Sequence, residues 1–329
     1  MNDVIAVILF IGVIAYALFG GADFGAGFWD LTAGGAERGR KPRDLIDHSL
    51  GPVWEANHTW LIFCLVMIWS GFPQAFAAIT TTLYIPLGLT VLGIVLRGSG
   101  FAFRKALVRT SEQRVAGAVF AASSVVTPFF LGAVAGGIAS GRVPTSGYGD
   151  ALSSWTNPTS MLGGILAVSV CAYLAAVFLT GQSVRRGDTE LEQGFRRRAL
   201  AAGVASGLVA LAGVFILHDD SPRLFHQLSR VGLPLLIISA VCGVAALLLL
   251  RSGRPPLVRT LAAAAIACVV AGWGVAQYPY LLGTHLTIDQ AASPSATQWV
   301  LIAVSCVAAV LIAPSLLLLY TLSLRRKLE

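Results

Sequence analysis

Lipid hydrocarbon satisfies no backbone hydrogen bond, so a chain carrying apolar runs of about twenty residues from end to end has few folds open to it. Nine such runs stand between charged or Pro/Gly-rich breaks, at about 3–30, 51–71, 74–96, 115–139, 159–181, 199–217, 231–250, 258–281 and 298–323. Only 12% of the 329 residues are charged, about half the fraction of a soluble domain. The expectation is an all-α, polytopic membrane protein in which residues 1–329 form a single integral membrane domain. The first run has no basic segment before it and no convincing cleavage site after it, so it reads as a retained helix and not a signal peptide.

The basic residues follow the same count. Successive connections, from the N-terminus, hold 0, 4, 0, 5, 1, 5, 2, 3, 0 and 3 Lys or Arg residues, with Arg259 at the very start of the eighth run counted in the connection before it, an alternation that nine spans preserve and eight or ten would break. Twenty of the 23 basic residues fall on one side, in the clusters Arg38–Arg43, Arg97–Arg114, Arg185–Arg198, Arg251–Arg259 and Arg325–Lys327. Cytoplasmic loops retain positive charge, so the N-terminus is expected outside and the C-terminus in the cytoplasm. The net charge of +7 is then mostly topology. No cluster is interleaved with aromatics that could stack bases, so nucleic acid is not an expected partner. The connections are too short for a soluble catalytic domain and no Walker-type loop occurs, which places any chemistry inside the bundle or on a partner. The five cysteines lie in apolar runs without C-x-x-C spacing and read as small buried side chains. Pro86, Pro128, Pro234 and Pro314 are expected to bend their spans.

Ionisable groups inside a membrane are costly and mark candidate sites. Asp23 lies in the first run, with Asp30 seven residues on and on the same face; Glu55 opens the second run with His58 at i+3. If the first helix ends and the second begins on the basic side, Asp23 and Glu55 share the inner leaflet. Gly21 and Gly25 form a G-x-x-x-G step beside Asp23 that admits close approach of another helix. Two readings stand side by side: these groups exchange protons, or they are structural, with Asp23 bonded to a neighbouring helix and Glu55 to the amides of its own first turn. A haem needs axial ligands on facing helices. His48, His218, His226 and His285 fall near edges or in connections, and Met67 and Met161 are the only methionines beyond the first residue. Haem and metal are not expected on this chain.

The segment Gly51-Pro-Val-Trp54-Glu55-Ala-Asn57-His58-Thr-Trp60-Leu-Ile62 resembles the G-P-V-W-E-G-N-H-V-W-L-I segment of subunit II of cytochrome bd-type quinol oxidases, including the cyanide-insensitive branch. Phe72–Ala77 is similar to that family's F-P-x-A-Y-A turn, Arg97-Gly-Ser-Gly-Phe-Ala-Phe-Arg104 to its R-G-x-x-F-E-F-R, and Trp155–Pro158 to its W-x-N-P. Two departures stand out: the first-helix motif L-D-G-F-D-L-G is written Phe19–Gly25 with Gly20 in place of the first acid, and Ala102 stands where Glu is usual. The resemblance implies two four-helix bundles plus one peripheral helix, paired with a haem-bearing subunit I that carries haems b and d. Quinol oxidation and oxygen reduction then take place on that partner. It also implies a cytoplasmic proton path through the acids of the first two helices, of which Asp23, Glu55 and His58 carry over. It allows a small accessory transmembrane subunit, contacts with quinol and lipid, and a structural quinone that no residue of this chain places, in a bacterial cytoplasmic membrane. The alternative is a secondary transporter using an intramembrane acid, which an inverted repeat would favour; none is evident.

The charge alternation makes one expectation direct. Reporter fusions after Glu329 and in the Arg142–Asp150 connection should report opposite sides of the membrane; the same side for both refutes the orientation.

Overall fold

The structure is a computed structural model that describes residues 1–50, 54–107, 109–251 and 254–324. Gly51, Pro52 and Val53 of the second-span motif and the Arg325–Lys327 cluster lie outside the described residues. Its helices, in chain order, are α1 (Asn2–Leu31), α2 (Ala36–Leu50), α3 (Trp54–Gly71), α4 (Pro73–Thr82), α5 (Tyr84–Ala106), α6 (Thr110–Ala139), α7 (Pro158–Arg186), α8 (Thr189–Asp220), α9 (Pro222–Arg230), α10 (Leu233–Leu249), α11 (Pro255–Gln277), α12 (Ile288–Ala291) and α13 (Ser295–Leu324). A two-stranded antiparallel hairpin, β1 (Tyr280–Leu282) with β2 (Leu286–Thr287), stands between α11 and α12. Among the described residues, seven helices are long and apolar enough to cross a membrane, or up to nine if the bent pairs α3–α4 and α9–α10 each count as one span.

Local chemistry sets several boundaries. Asn157 caps α7 by accepting from the Ser160 amide at 2.9 Å, with Pro158 at the first helical position where no amide donor is needed. The helix stops at Gly187, whose φ of 69° suits glycine, and Asp188 at once caps α8 through the Leu191 amide at 3.0 Å. Two residues thus turn the chain between two long helices, and α7 and α8 pack as antiparallel neighbours.

The third span differs from the sequence expectation of 74–96. The chain bends by 116° after α3, runs sideways as α4, and begins its membrane-long helix only at Tyr84. Proline explains both breaks: Pro73 opens α4, and Pro86 has no amide to donate to Thr82 and would clash with that carbonyl in a continuous helix. Pro86 therefore sits in the first turn of α5 and separates two helices where a bend was expected. Pro234 likewise lies at the start of α10, after a 76° break from α9, while Pro128 and Pro314 stay inside α6 and α13. The connection 31–50 also contains a helix, α2, which is polar and contributes buried Leu45 and Ile46 to the core. His218 and His226 sit on α8 and α9 and not in loops.

Two apolar clusters hold the molecule together. One gathers α1, α2, α7, α8, α10 and α11 around Trp29, Leu179 and Phe195; the other joins the opposite end of α1 to α3, α4 and the hairpin around Ile5, Phe72 and Leu282. Between them α1 touches α7 through its small-residue face. A Cβ added to Gly25 would fall inside the Cys171 carbonyl, and Gly132 and Gly163 make an equally close approach of α6 to α7. Gly25→Ala should cost about 1–3 kcal/mol as overpacking, seen as a lower melting temperature of the purified protein. Gly194→Ala on α8, where nothing lies within 4 Å, should leave it unchanged or raise it slightly.

Candidate functional site

The acids of α1 do not stand alone. Asp23 is fully buried, and its Oδ1 accepts from Arg97 Nη2 at 2.8 Å; the same nitrogen donates to the Asp23 carbonyl at 3.2 Å. Arg97 is 2% exposed, donates from Nε to Ser124 Oγ at 3.0 Å, and lies between the rings of Phe24 and Phe120, 4.9 and 5.0 Å from their centroids. Nε and Nη2 thus meet acceptors and the guanidinium lies over two ring faces, contacts that help a charge stay buried. Asp23 Oδ2 and the hydroxyl of Tyr16 have no partner among the described residues. Tyr16 packs its ring over Gly20, where a Cβ would come within 2.7 Å of Tyr16 Cε2, so the phenol fills the space beside the position where the resembled family has its first acid.

Two turns along α1, Asp30 is also buried and holds two arginines. Oδ1 accepts from Arg43 Nε at 2.7 Å and Oδ2 from Arg104 Nη1 at 2.5 Å. Arg104 reaches on to Asp47 at 3.3 Å, and Arg43 donates to the Gly34 carbonyl at 2.7 Å. The result ties α1, α2 and α5 together at the basic end. Exposed pairs complete the attachment of α2 to the rest: Arg186 to Asp44 at 3.0 Å and Lys41 to Glu190 at 2.8 Å, the latter holding the lysine above its usual range. Such surface pairs contribute little by themselves.

The second-span motif sits beside this ladder. His58 lies against Phe24 with ring centroids 6.1 Å apart, its Nδ1 3.0 Å from the Trp54 carbonyl. Trp54 packs on Phe101 of α5, Trp60 stacks on Phe19 of α1, and Asn57 is buried. Gly21 and Gly25 face α7. Glu55 is exposed in the first turn of α3 and makes no ion pair with a described residue. The structure therefore brings Asp23 close to Arg97, and His58 to the neighbouring residue Phe24, but leaves Glu55 on the outer face of the same helix.

Sequence reasoning placed Arg97 and Arg104 in a cytoplasmic loop cluster, and the structure corrects this: both belong to α5, and Arg97 is buried in the bundle. The available signal was spacing, since Arg97 and Arg104 repeat the seven-residue interval of Asp23 and Asp30. His58 Nδ1 meets a carbonyl of its own helix, the buried sulfur of Met67 lies 3.8 Å from the Ser305 hydroxyl, and no group of three or more His, Cys, Asp or Glu side chains among the described residues could hold a metal ion.

Comparison with known proteins agrees with this arrangement of helices. The model of the family described as cytochrome bd terminal oxidase subunit II matches residues 1–323. A chain in the structure of bd oxidase from Geobacillus thermodenitrificans superimposes with a TM-score of 0.82, at 26% identity over 98% of both chains. Cytochrome bd ubiquinol oxidase subunit 2 of Bacillus subtilis is 23% identical over 86% of this chain and 81% of its own length. Cytochrome bd-I ubiquinol oxidase subunit 2 of Escherichia coli K12 is 27% identical over 64% of this chain and 56% of its own length. The chain belongs to the cytochrome bd terminal oxidase subunit II family. It is a membrane subunit of a respiratory quinol oxidase whose activity is carried by the complex, and membership implies a subunit I partner bearing the haems. The transporter alternative has no support from these relatives.

The Asp23–Arg97 pair yields a stability test. Arg97→Met leaves a buried carboxylate without its cation and should destabilise the complex by about 3–5 kcal/mol. Adding Asp23→Asn should recover part of that loss, measured as the melting temperatures of the single and double variants.

Proposed function

We propose that this subunit scaffolds the haem-bearing subunit I and supplies the cytoplasmic portion of a proton path leading into it, with Asp23, Glu55 and His58 as its groups. In this reading the spans form two four-helix bundles plus a peripheral helix, as one domain in the bacterial cytoplasmic membrane, with the N-terminus outside and the C-terminus in the cytoplasm.

The observation that carries the path is the state of Asp23: one carboxylate oxygen is fixed by Arg97 while the other, with the Tyr16 hydroxyl, has no partner among the described residues in a fully buried setting. Two unpaired oxygens in one apolar region are suited to ordering water or passing a proton, because lipid offers neither. The observation that favours a partner-facing direction is Glu55. It heads an exposed stripe of α3 with Thr59, Ile62, Val66 and Trp69, at intervals of four and three residues. Hydrocarbon does not accept a carboxylate, so a protein surface is the better cover for this stripe, and subunit I is the cover proposed. His58, on the flank of the same helix, stands between Phe24 and that face.

Asp23→Asn and Glu55→Gln keep shape and hydrogen-bonding capacity but cannot titrate. Quinol oxidase activity per intact complex should fall severalfold for each, and further for Glu55→Gln because the family's other α1 acid is Gly20 here, while haem content per complex stays near wild type; Asp23→Asn also leaves Arg97 without its counter-ion, so its yield is expected to be lower than that of Glu55→Gln. Loss of assembly would assign the acids a structural role. Unchanged turnover in an intact complex would remove them as an obligatory route.

A further inference from the structure

The end of the molecule away from the arginine clusters holds a cavity of about 240 Å³ that the proton path does not use. Three membrane-long helices end in its wall: α6 at Ala139, α8 at Asp220 and α11 at Gln277. The first turn of α9 and the hairpin turn Gly283–His285 close it. Because the spanning helices stop here, the cavity opens at the level where lipid headgroups begin.

Its polar lining is arranged for negative charge. No side chain caps the first turn of α9, which leaves the amide donors and positive end of that helix in the cavity wall. Arg223, on the same turn, is held in place by stacking 4.4 Å from the Tyr280 ring centroid and by donating from Nη1 to the Gly283 carbonyl, which occupies one of its five N–H donors. Gln277 is 8% exposed, lines the cavity, and makes no side-chain hydrogen bond to a described residue. Its donors and acceptor are therefore free to bond whatever occupies the cavity. His285 stands at the exposed rim, with Nε2 3.2 Å from Thr284 Oγ1.

The acid in the wall, Asp220, does not oppose an anion, since its charge is already committed. Arg142 donates to Oδ1 at 2.7 Å and to Oδ2 at 3.0 Å, and Oδ2 also accepts from the Thr159 amide at 3.1 Å and hydroxyl at 2.5 Å. With Arg142 spent on Asp220, the guanidinium of Arg223 is the charge left over, and the α9 terminus adds to it. We propose that this cavity binds a phosphate-type oxyanion, its charge met by Arg223 and the start of α9 and its oxygens by the Gln277 amide. The volume leaves room for ester substituents beside the phosphorus, so both a phospholipid headgroup and free phosphate share the required chemistry.

The purified oxidase complex, stripped of lipid in detergent, should be titrated separately with inorganic phosphate and with short-chain phosphatidylglycerol. Wild type should bind at least one probe, and both Arg223→Gln and Gln277→Leu should weaken that binding tenfold or more. Gln277→Leu keeps the bulk of the wall, so it holds the test open if Arg223→Gln disturbs the hairpin; haem content reports intact complex in each case. Binding of the lipid without phosphate assigns a headgroup, and binding of phosphate itself assigns a free anion. Failure of wild type to bind either probe, or wild-type affinity in an intact Gln277→Leu complex, overturns the proposal.

Discussion

Two acids on α1 answered by two arginines on α5 fix the register between two helices whose backbones otherwise hardly approach. Asp23 meets Arg97 and Asp30 meets Arg104, each pair separated by 74 residues in sequence, so the rungs are seven residues apart on both helices. Seven residues are two helical turns, and equal steps in the same direction mean that α1 and α5 run parallel. A slide of one residue or a rotation of either helix would separate both pairs at once, and separating a buried pair costs far more than the pair contributes when made. The ladder therefore acts mainly as a register device. With α1 held in rotation, its glycine face is turned toward α7 and its Phe24 toward His58, which brings the second-span motif to the same region.

The spanning pattern was readable because hydrocarbon thickness imposes a length on apolar runs, and most runs coincide with single long helices. It misplaced the third, where 74–96 became the sideways α4 and a helix beginning at Tyr84. Hydropathy averages over a window and does not register where a helix changes direction; Pro73 and Pro86 did carry that information, as missing amide donors. The amphipathic α2 escaped for a related reason. Its helical pattern is polar on balance, and a search for apolar runs treats it as a connection, although Leu45 and Ile46 are fully buried.

The candidate site was half legible. Acids inside apolar runs announce themselves in a chain with so few charges, so Asp23, Asp30 and Glu55 could be named from the sequence. Their counter-ions could not, because an arginine near the end of a span looks the same whether it lies among headgroups or turns inward between Phe24 and Phe120. Counting Arg97 toward the positive side kept the alternation regular while hiding its contact with Asp23. At the other end, Arg142 and Asp220 are likewise unremarkable in sequence, and only the fold joins them.

The 74-residue interval also bears on how the chain is made. Ribosomes deliver α1 first, and when it reaches the bilayer the α5 arginines that answer its carboxylates have not been synthesised; only Arg43, which bonds Asp30 from α2, follows closely. Neither rung can close until α5 has been threaded alongside, with α2, α3 and α4 already laid down between them. The two ion pairs therefore close late, after α1 has been able to pack against α3, and cannot guide the first steps of assembly.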